Sequence, residues 1–214
     1  MGSKFRLRFI FRPIIKLLAR TLIRIGVTPN LATFIMLSFS LLSFISLVFF
    51  RSLLYFSIFV FLCGLFDGVD GAIARLTSKS TKYGGFLDSF MDRISEFFIF
   101  IALLIFYHNR FLWNFIDIKW IIFISLLASL MISYSRARAE IFFKENFFLD
   151  GDIGLMGRSE RLFYIFITML CASFLGFALE FLFIYMCLVI CTFMFRLTKI
   201  YYQIKQRDNK QTLN

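Results

Sequence analysis

The sequence predicts an all-α integral membrane protein: six transmembrane helices preceded by an N-terminal amphipathic interfacial helix. Three observations carry this. Of 214 residues, 60% are hydrophobic, and the mean hydropathy is +0.81, well beyond a soluble domain. Apolar runs near 30–50, 53–76, 84–107, 119–143, 160–178 and 180–203 are each long enough to cross about 30 Å of hydrocarbon. The chain has only two prolines, so long uninterrupted helices are permitted, and its 33 phenylalanines suit lipid-facing surfaces.

Taken in order, residues 4–24 mix basic and apolar side chains. Arg8, Arg12, Lys16, Arg20 and Arg24 recur every four residues, with Ile10, Phe11, Ile14, Leu17, Leu18 and Leu22 opposite. This is the pattern of a helix lying in the membrane interface; a targeting peptide is the alternative. Thr28 and Pro29 read as an N-cap and first-turn proline opening the first span. No cleavage-site pattern follows the first apolar segment, and Arg6 breaks the usual myristoylation pattern. With no repeat, linker or composition break, the expected organisation is a juxtamembrane helix at 1–26, one six-helix domain at 27–205 and a tail at 206–214.

Charge orients the bundle. The net charge is +11. Lys4, Arg6, Arg8, Arg12, Lys16, Arg20 and Arg24 precede the first span. Arg75, Lys79 and Lys82 flank the turn between spans two and three. Arg136, Arg138, Lys144, Arg158 and Arg161 flank the loop between spans four and five, and Arg196, Lys199, Lys205, Arg207 and Lys210 close the chain. The opposite side has Arg51, Arg110 and Lys119. The positive-inside rule then puts both termini on the cytoplasmic side of a multi-pass cell-membrane protein. The basic excess reads as membrane charge rather than a nucleic-acid surface, since no aromatic–basic reader motif accompanies it. Cys63, Cys171, Cys187 and Cys191 lie in apolar spans without metal-ligand spacing and read as small core residues; His108, in a short loop, is assigned no role.

The second and third spans meet in the stretch Asp67–Asp92, DGVDGAIARLTSKSTKYGGFLDSFMD. Asp67 and Asp70 share one helix face, and Asp88 and Asp92 share another. The polar run Thr77–Lys82 reads as the turn between them. Asp67 and Asp92 each lie roughly 12–13 Å from that turn, and Asp70 and Asp88 about 6–9 Å. Antiparallel packing would bring all four carboxylates into one layer on the cytoplasmic side. Such a layer repels itself unless compensated, and its oxygen-only donors favour Mg²⁺, Mn²⁺ or Ca²⁺ over zinc. A second polar cluster forms on the same side. Ser133–Glu140 reads SYSRARAE, Gly154–Leu162 reads GLMGRSERL, and Arg196 sits in the last span. Its arginines either pair with Glu140 and Glu160, reach lipid phosphates, or seat a phosphorylated substrate.

The motif Asp67-x2-Asp70-Gly71-x2-Ala74-Arg75-x8-Gly84-x3-Asp88-x3-Asp92 resembles the signature of the CDP-alcohol phosphotransferase family at every fixed position. SYSRARAE followed by GLMGRSER resembles its inositol-phosphate branch, the phosphatidylinositol phosphate and archaetidylinositol phosphate synthases. The resemblance implies transfer of a phosphatidyl-type group from a CDP-lipid (CDP-diacylglycerol or CDP-archaeol) to inositol phosphate with release of CMP, in phospholipid biosynthesis. It implies two Mg²⁺ or Mn²⁺ ions held by Asp67, Asp70 and Asp88, with Asp92 as base and a further metal contact. Gly71, Ala74, Arg75 and Gly84 would shape the CDP-lipid site. Arg136, Arg161 and Arg196 would hold the acceptor phosphate, with Arg138 and Arg158 as secondary candidates. The implied assembly is a homodimer. The 141–152 loop looks longer than in several relatives.

Other readings lead to different sequence patterns. Glycerol phosphate, serine or free inositol as acceptor keeps the chemistry, and the arginines argue against the two unphosphorylated ones. An intramembrane prenyltransferase would carry its acidic motifs on well-separated helices, without Gly71, Arg75 and Gly84. A cation transporter would more often show inverted halves and broken helices, and no such internal symmetry is present.

Overall fold

The computed structural model describes residues 10–143 and 156–211. Lys4, Arg6, Arg8, Lys144, Gly154 and most of the 141–152 loop lie outside the described residues, as do the side chains of Glu140, Arg207 and Lys210. The described chain is helical: α1 (Arg12–Arg24), α2 (Pro29–Val48), α3 (Leu53–Leu76), α4 (Lys82–Phe106), α5 (Ile118–Phe143), α6 (Arg158–Leu175) and α7 (Leu179–Gln211). Between α4 and α5, β1 (Phe111–Leu112) pairs antiparallel with β2 (Ile116–Asp117), Leu112 opposite Ile116. This hairpin is absent from the sequence expectation because two-residue strands leave no alternating pattern to read.

Local chemistry sets the helix ends. Thr28 Oγ1 accepts from Leu31 N at 3.3 Å, with Pro29 in the first turn, as Thr–Pro predicts. Thr81 Oγ1 accepts from Gly84 N at 3.0 Å, so α4 begins at Lys82, two residues before the expected start. Gly176 at φ 78° stops α6 at Leu175, since this left-handed conformation suits glycine. Helix α7 runs on into the expected tail because Tyr201–Gln211 contains neither Gly nor Pro. At the start of α5, Asp117 accepts from Lys119 N at 3.0 Å and pairs with Lys119 Nζ at 2.9 Å; the amide bond first, and then the side-chain bond, holds its carboxyl below the usual carboxylate range.

Among the described residues, four helical segments are long and apolar enough to cross a membrane: Pro29–Val48, Leu53–Leu76, Ile118–Ala139 and Leu179–Gln206. The other two long helices, α4 and α6, carry Asp88, Asp92, Arg93 and Glu96, and Arg158, Glu160 and Arg161. Those polar groups lower their hydropathy, and they are also the groups that meet inside the bundle.

Helix α2 lies between α3 and α4 and packs along both, whereas α3 and α4 touch each other only slightly. The consecutive helices therefore stand apart, with α2 behind them. Buried Ser40, Ser43 and Ser46 line α2; each hydroxyl donates to the carbonyl three residues earlier, at 2.7, 2.7 and 2.8 Å. Small, internally satisfied side chains permit such close helix approach in lipid. Helix α6 packs on α3, and α5 packs on α4 and α7. The main core runs from Met36, Phe56 and Val60 through Ile99, Phe100 and Leu103 to Met169, Tyr185 and Val189.

Helix α1 rests on α3. Ile15, Leu18, Leu22 and Ile23 pack around Val69, Ala72 and Ile73, and Gly68 makes room: a Cβ there would lie 2.7 Å from Ile15 Cδ1. Arg12, Lys16, Arg20 and Arg24 are exposed, and so are Ile14 and Leu17. Cysteine is a correction. Cys63 is buried, but Cys171, Cys187 and Cys191 are exposed on the bundle surface, where lipid accepts a thiol as readily as a core does.

Replacing Thr81 with Ala should cost about 1 kcal/mol, the usual value of an N-cap, while Thr81→Ser stays close to native; thermal unfolding in detergent compares the two.

Candidate active site

Two helices supply the acids. Asp67 and Asp70 lie on α3, one turn apart; Asp88 and Asp92 lie one turn apart on α4. Oxygens of Asp67, Asp88 and Asp92 all fall within 4.8 Å of one another. Asp70 turns aside: it is 4% exposed and accepts from Thr33 Oγ1 of α2 at 2.9 Å, with Asp88 as a close neighbour. The structure thus converges three of the four expected carboxylates, and α2 takes part in holding the fourth.

Arg158, from the first turn of α6, completes the cluster. Its Nη1 contacts both Asp67 Oδ1 and Asp92 Oδ1, and its Nη2 donates to Ser95 Oγ at 2.9 Å and Asp92 O at 3.3 Å. The contact with Asp92 Oδ1 is ionic, without hydrogen-bond alignment, and Asp88 Oδ1 is buried with no hydrogen-bond partner. An all-oxygen donor set with unsatisfied buried carboxylate oxygens fits a hard divalent cation. Arg158, a secondary phosphate candidate in the sequence reading, is here the positive charge at the centre of the acids.

The carboxylates open onto a cavity of about 500 Å³ lined by Arg93, Arg136, Arg158, Arg161 and Arg196, among others. Phe11 and Ile15 close one side, so the segment at α1 borders the site. Arg136 on α5 is exposed. Arg196 on α7 is 8% exposed, and its Nη1 donates to Ile132 O at 3.1 Å. Arg161 is 1% exposed and pairs with Glu96 of α4 at 3.4 Å. Helices α5, α6 and α7 thus bring Arg136, Arg161 and Arg196 to one cavity, while Arg138 is exposed and outside its lining.

Gly71, Ala74, Arg75 and Gly84 also lie outside that lining, between the acids and the α3–α4 turn. A Cβ on Gly71 would meet Arg75 Nη1 at 3.2 Å, so the glycine leaves room for this exposed guanidinium to fold back along α3. A Cβ on Gly84 would sit 3.0 Å from Thr81 Oγ1, beside the cap it receives.

Sequence reasoning missed Thr33, Arg93, Ser95, Glu96 and Ser129. A signal for Glu96 was present: Asp88, Asp92 and Glu96 recur every four residues along one face of α4. No local pattern marks Thr33, Ser95 or Ser129, which resemble the other small polar residues of membrane helices.

Residues 26–194 match the model of the family described as CDP-alcohol phosphatidyltransferase. The archaetidylinositol phosphate synthase of Pyrococcus horikoshii is 36% identical over 158 residues, covering 72% of this chain and 74% of that protein. The phosphatidylinositol phosphate synthase of Mycobacterium tuberculosis is 35% identical over 165 residues, covering 75% of this chain and 71% of that protein. A crystal structure of the M. tuberculosis synthase with CDP-DAG bound superposes with a TM-score of 0.73 at 28% identity, covering 88% of this chain and 94% of that one. A second, in complex with manganese and citrate, also gives 0.73 at 28% identity, covering 87% and 88%.

In chelator, Arg158→Gln leaves Asp67 and Asp92 uncompensated and should lower stability by roughly 2 kcal/mol, between the values typical of exposed and fully buried ion pairs. Thermal unfolding in EDTA and in Mn²⁺ checks this, with Mn²⁺ restoring the variant more than it raises the native protein.

Proposed function

This chain belongs to the CDP-alcohol phosphatidyltransferase family, and we propose that within it the chain transfers the phosphatidyl-type group of a CDP-lipid to inositol phosphate, releasing CMP. It is a CDP-alcohol phosphotransferase of phospholipid synthesis. The inositol phosphate acceptor is our inference. The observation that carries it is the pairing, around one cavity, of three converged carboxylates with Arg136, Arg161 and Arg196. An acidic cluster alone suits any acceptor. Guanidinium forks beside it suit a phosphorylated one, and the named relatives make inositol phosphate the favoured choice.

Each group has a task. Asp67, Asp88 and Asp92 would hold the divalent cation, Mg²⁺ or Mn²⁺, with Asp70 available to a second ion from its place against Thr33. When bound, the cation supplies positive charge to the CDP diphosphate. Arg136, Arg161 and Arg196 bind the acceptor phosphate and so aim its hydroxyl. Asp92 takes the hydroxyl proton as the acceptor oxygen bonds to the lipid-bound phosphorus. The bond from that phosphorus to the CMP oxygen breaks, and CMP departs with the electron pair. Gly71, Ala74, Arg75 and Gly84, lying toward the α3–α4 turn, would line the path of the cytidine diphosphate, with Arg75 offsetting its charge.

The proposed setting is a membrane protein crossing six times. Its domain spans 27–205, with α1 lying in the interface before it and 206–214 forming a cytoplasmic extension. Both termini and the site face the cytoplasm, because Arg75, Lys79, Lys82, Arg136 and Arg138 lie on the site's side and Arg51, Arg110 and Lys119 on the other. The lipid is CDP-diacylglycerol or CDP-archaeol, and the assembly a homodimer.

CMP release by purified protein with Mg²⁺ tests the reading across inositol phosphate, glycerol phosphate, serine and inositol. Turnover is expected with inositol phosphate, and Asp92→Asn should reduce it by about 10²–10⁴-fold, the scale of general base catalysis. Turnover with glycerol phosphate in its place would overturn the acceptor assignment and leave the chemistry. Arg196→Ala should raise the KM for inositol phosphate far more than that for the CDP-lipid.

A further inference from the structure

Beneath the cavity lies a buried polar group of residues that the proposed reaction does not use directly. Glu96 of α4 is 2% exposed, Ser129 of α5 is 0% exposed and Tyr185 of α7 is 1% exposed. Ser129 Oγ donates to Glu96 Oε1 at 2.5 Å. Arg161 directs both Nε and Nη2 to that same oxygen, each at 3.4 Å. The Tyr185 ring stacks at a tilt against Phe100 and Tyr164, and its hydroxyl is itself without a hydrogen-bond partner.

A buried ion pair is poor value as a stabiliser. Removing two charges from water costs several kcal/mol per ion, and an apolar pair of similar shape is often as stable. An ionisable residue inside a membrane bundle is by default a functional one. Arg161 supplies the reason, since it lines the cavity one helical turn beyond Arg158. Glu96 likewise lies one turn beyond Asp92. Two acid–base contacts therefore join α4 to α6 in register, Asp92 with Arg158 and Glu96 with Arg161.

We propose that Glu96, fixed by Ser129, is a positioning residue: it grips the Nε–Nη2 edge of Arg161 and so presents the remaining Nη1 to the acceptor's phosphate. This rests on the reading of Arg161 as a phosphate ligand. An arginine has several rotatable bonds, and a guanidinium held along one edge has fewer orientations to lose when its other nitrogen meets an oxyanion. Glu96 never touches substrate. It sets the geometry through Arg161, and its charge keeps Arg161 from being an uncompensated cation when the cavity is empty.

Steady-state kinetics, with both substrates varied in turn, test this. Glu96→Ala should raise the KM for inositol phosphate about tenfold or more, the scale of one misplaced charge-assisted hydrogen bond, with the KM for the CDP-lipid and Mn²⁺ binding within about twofold of native. Glu96→Gln keeps an accepting oxygen in place and should return the acceptor KM to near the native value. Ser129→Ala should raise it a few-fold, and this variant decides the matter if Glu96→Ala does not fold. A structural role alone would lower the melting temperature and the active fraction while leaving the acceptor KM unmoved; that result, in Glu96→Ala or failing that in Ser129→Ala, overturns the proposal. Arg161→Ala separates the two readings. An unchanged acceptor KM there removes Arg161 as a phosphate ligand and the positioning role with it. A raised KM there, beside a native KM in Glu96→Ala, removes the positioning role alone.

Discussion

Three carboxylates placed within 4.8 Å of one another inside an apolar bundle must be compensated, and most of the architecture follows from that. Like charges at this spacing repel strongly where water is scarce. The chain answers with Arg158, which spans Asp67 and Asp92 from α6. This fixes where α6 begins, and its packing on α3 follows. It also explains why α3 and α4 stand apart although they are consecutive: a pair packed flush would leave no room for a cation between their acids. Helix α2 takes up the packing they forgo, with a buried serine face narrow enough to reach both.

The same requirement shapes the membrane character of the bundle. Each charged group at the centre of a spanning helix costs on the order of 2.5–3.5 kcal/mol to insert. Helices α4 and α6 each carry several charged groups and are not among the four described segments long and apolar enough to cross a membrane. Two of their acids are matched across the helices, Asp92 to Arg158 and Glu96 to Arg161. Arg136 and Arg196 border the same cavity at the end of the bundle where the α3–α4 turn lies. In the proposed reaction a polar acceptor and the head of a lipid donor would meet at this cavity.

Much of this was legible in the sequence, for stated reasons. Apolar length located helices α2 to α7 among the described residues, Thr28 and Pro29 marked the start of α2, and the spacing of Asp67, Asp70, Asp88 and Asp92 marked the acidic stretch. What was not legible depends on which helices become neighbours. Asp70 turns to Thr33 because α2 packs against α3, and nothing in the Asp67–Asp92 stretch says so. Arg161 could be expected to pair with an acid near in sequence, such as Glu160, but its partner is Glu96, more than sixty residues away. Arg158 occupies the centre of the acids rather than the rim because the register of α6 against α4 sets its depth. The hairpin at Phe111–Asp117 escaped because its strands are too short to show a period.

Central to the proposed mechanism is a divalent-cation site at Asp67, Asp88 and Asp92. Titration of the detergent-solubilised protein with Mn²⁺, read by the loss of the free-ion electron paramagnetic resonance signal, tests for that site without depending on which acceptor or lipid is used. Stoichiometric binding to the native protein, weakened tenfold or more by Asp88→Asn, is the predicted result. A folded native protein that leaves the Mn²⁺ signal unchanged, or an Asp88→Asn variant that binds as the native protein does, would contradict it.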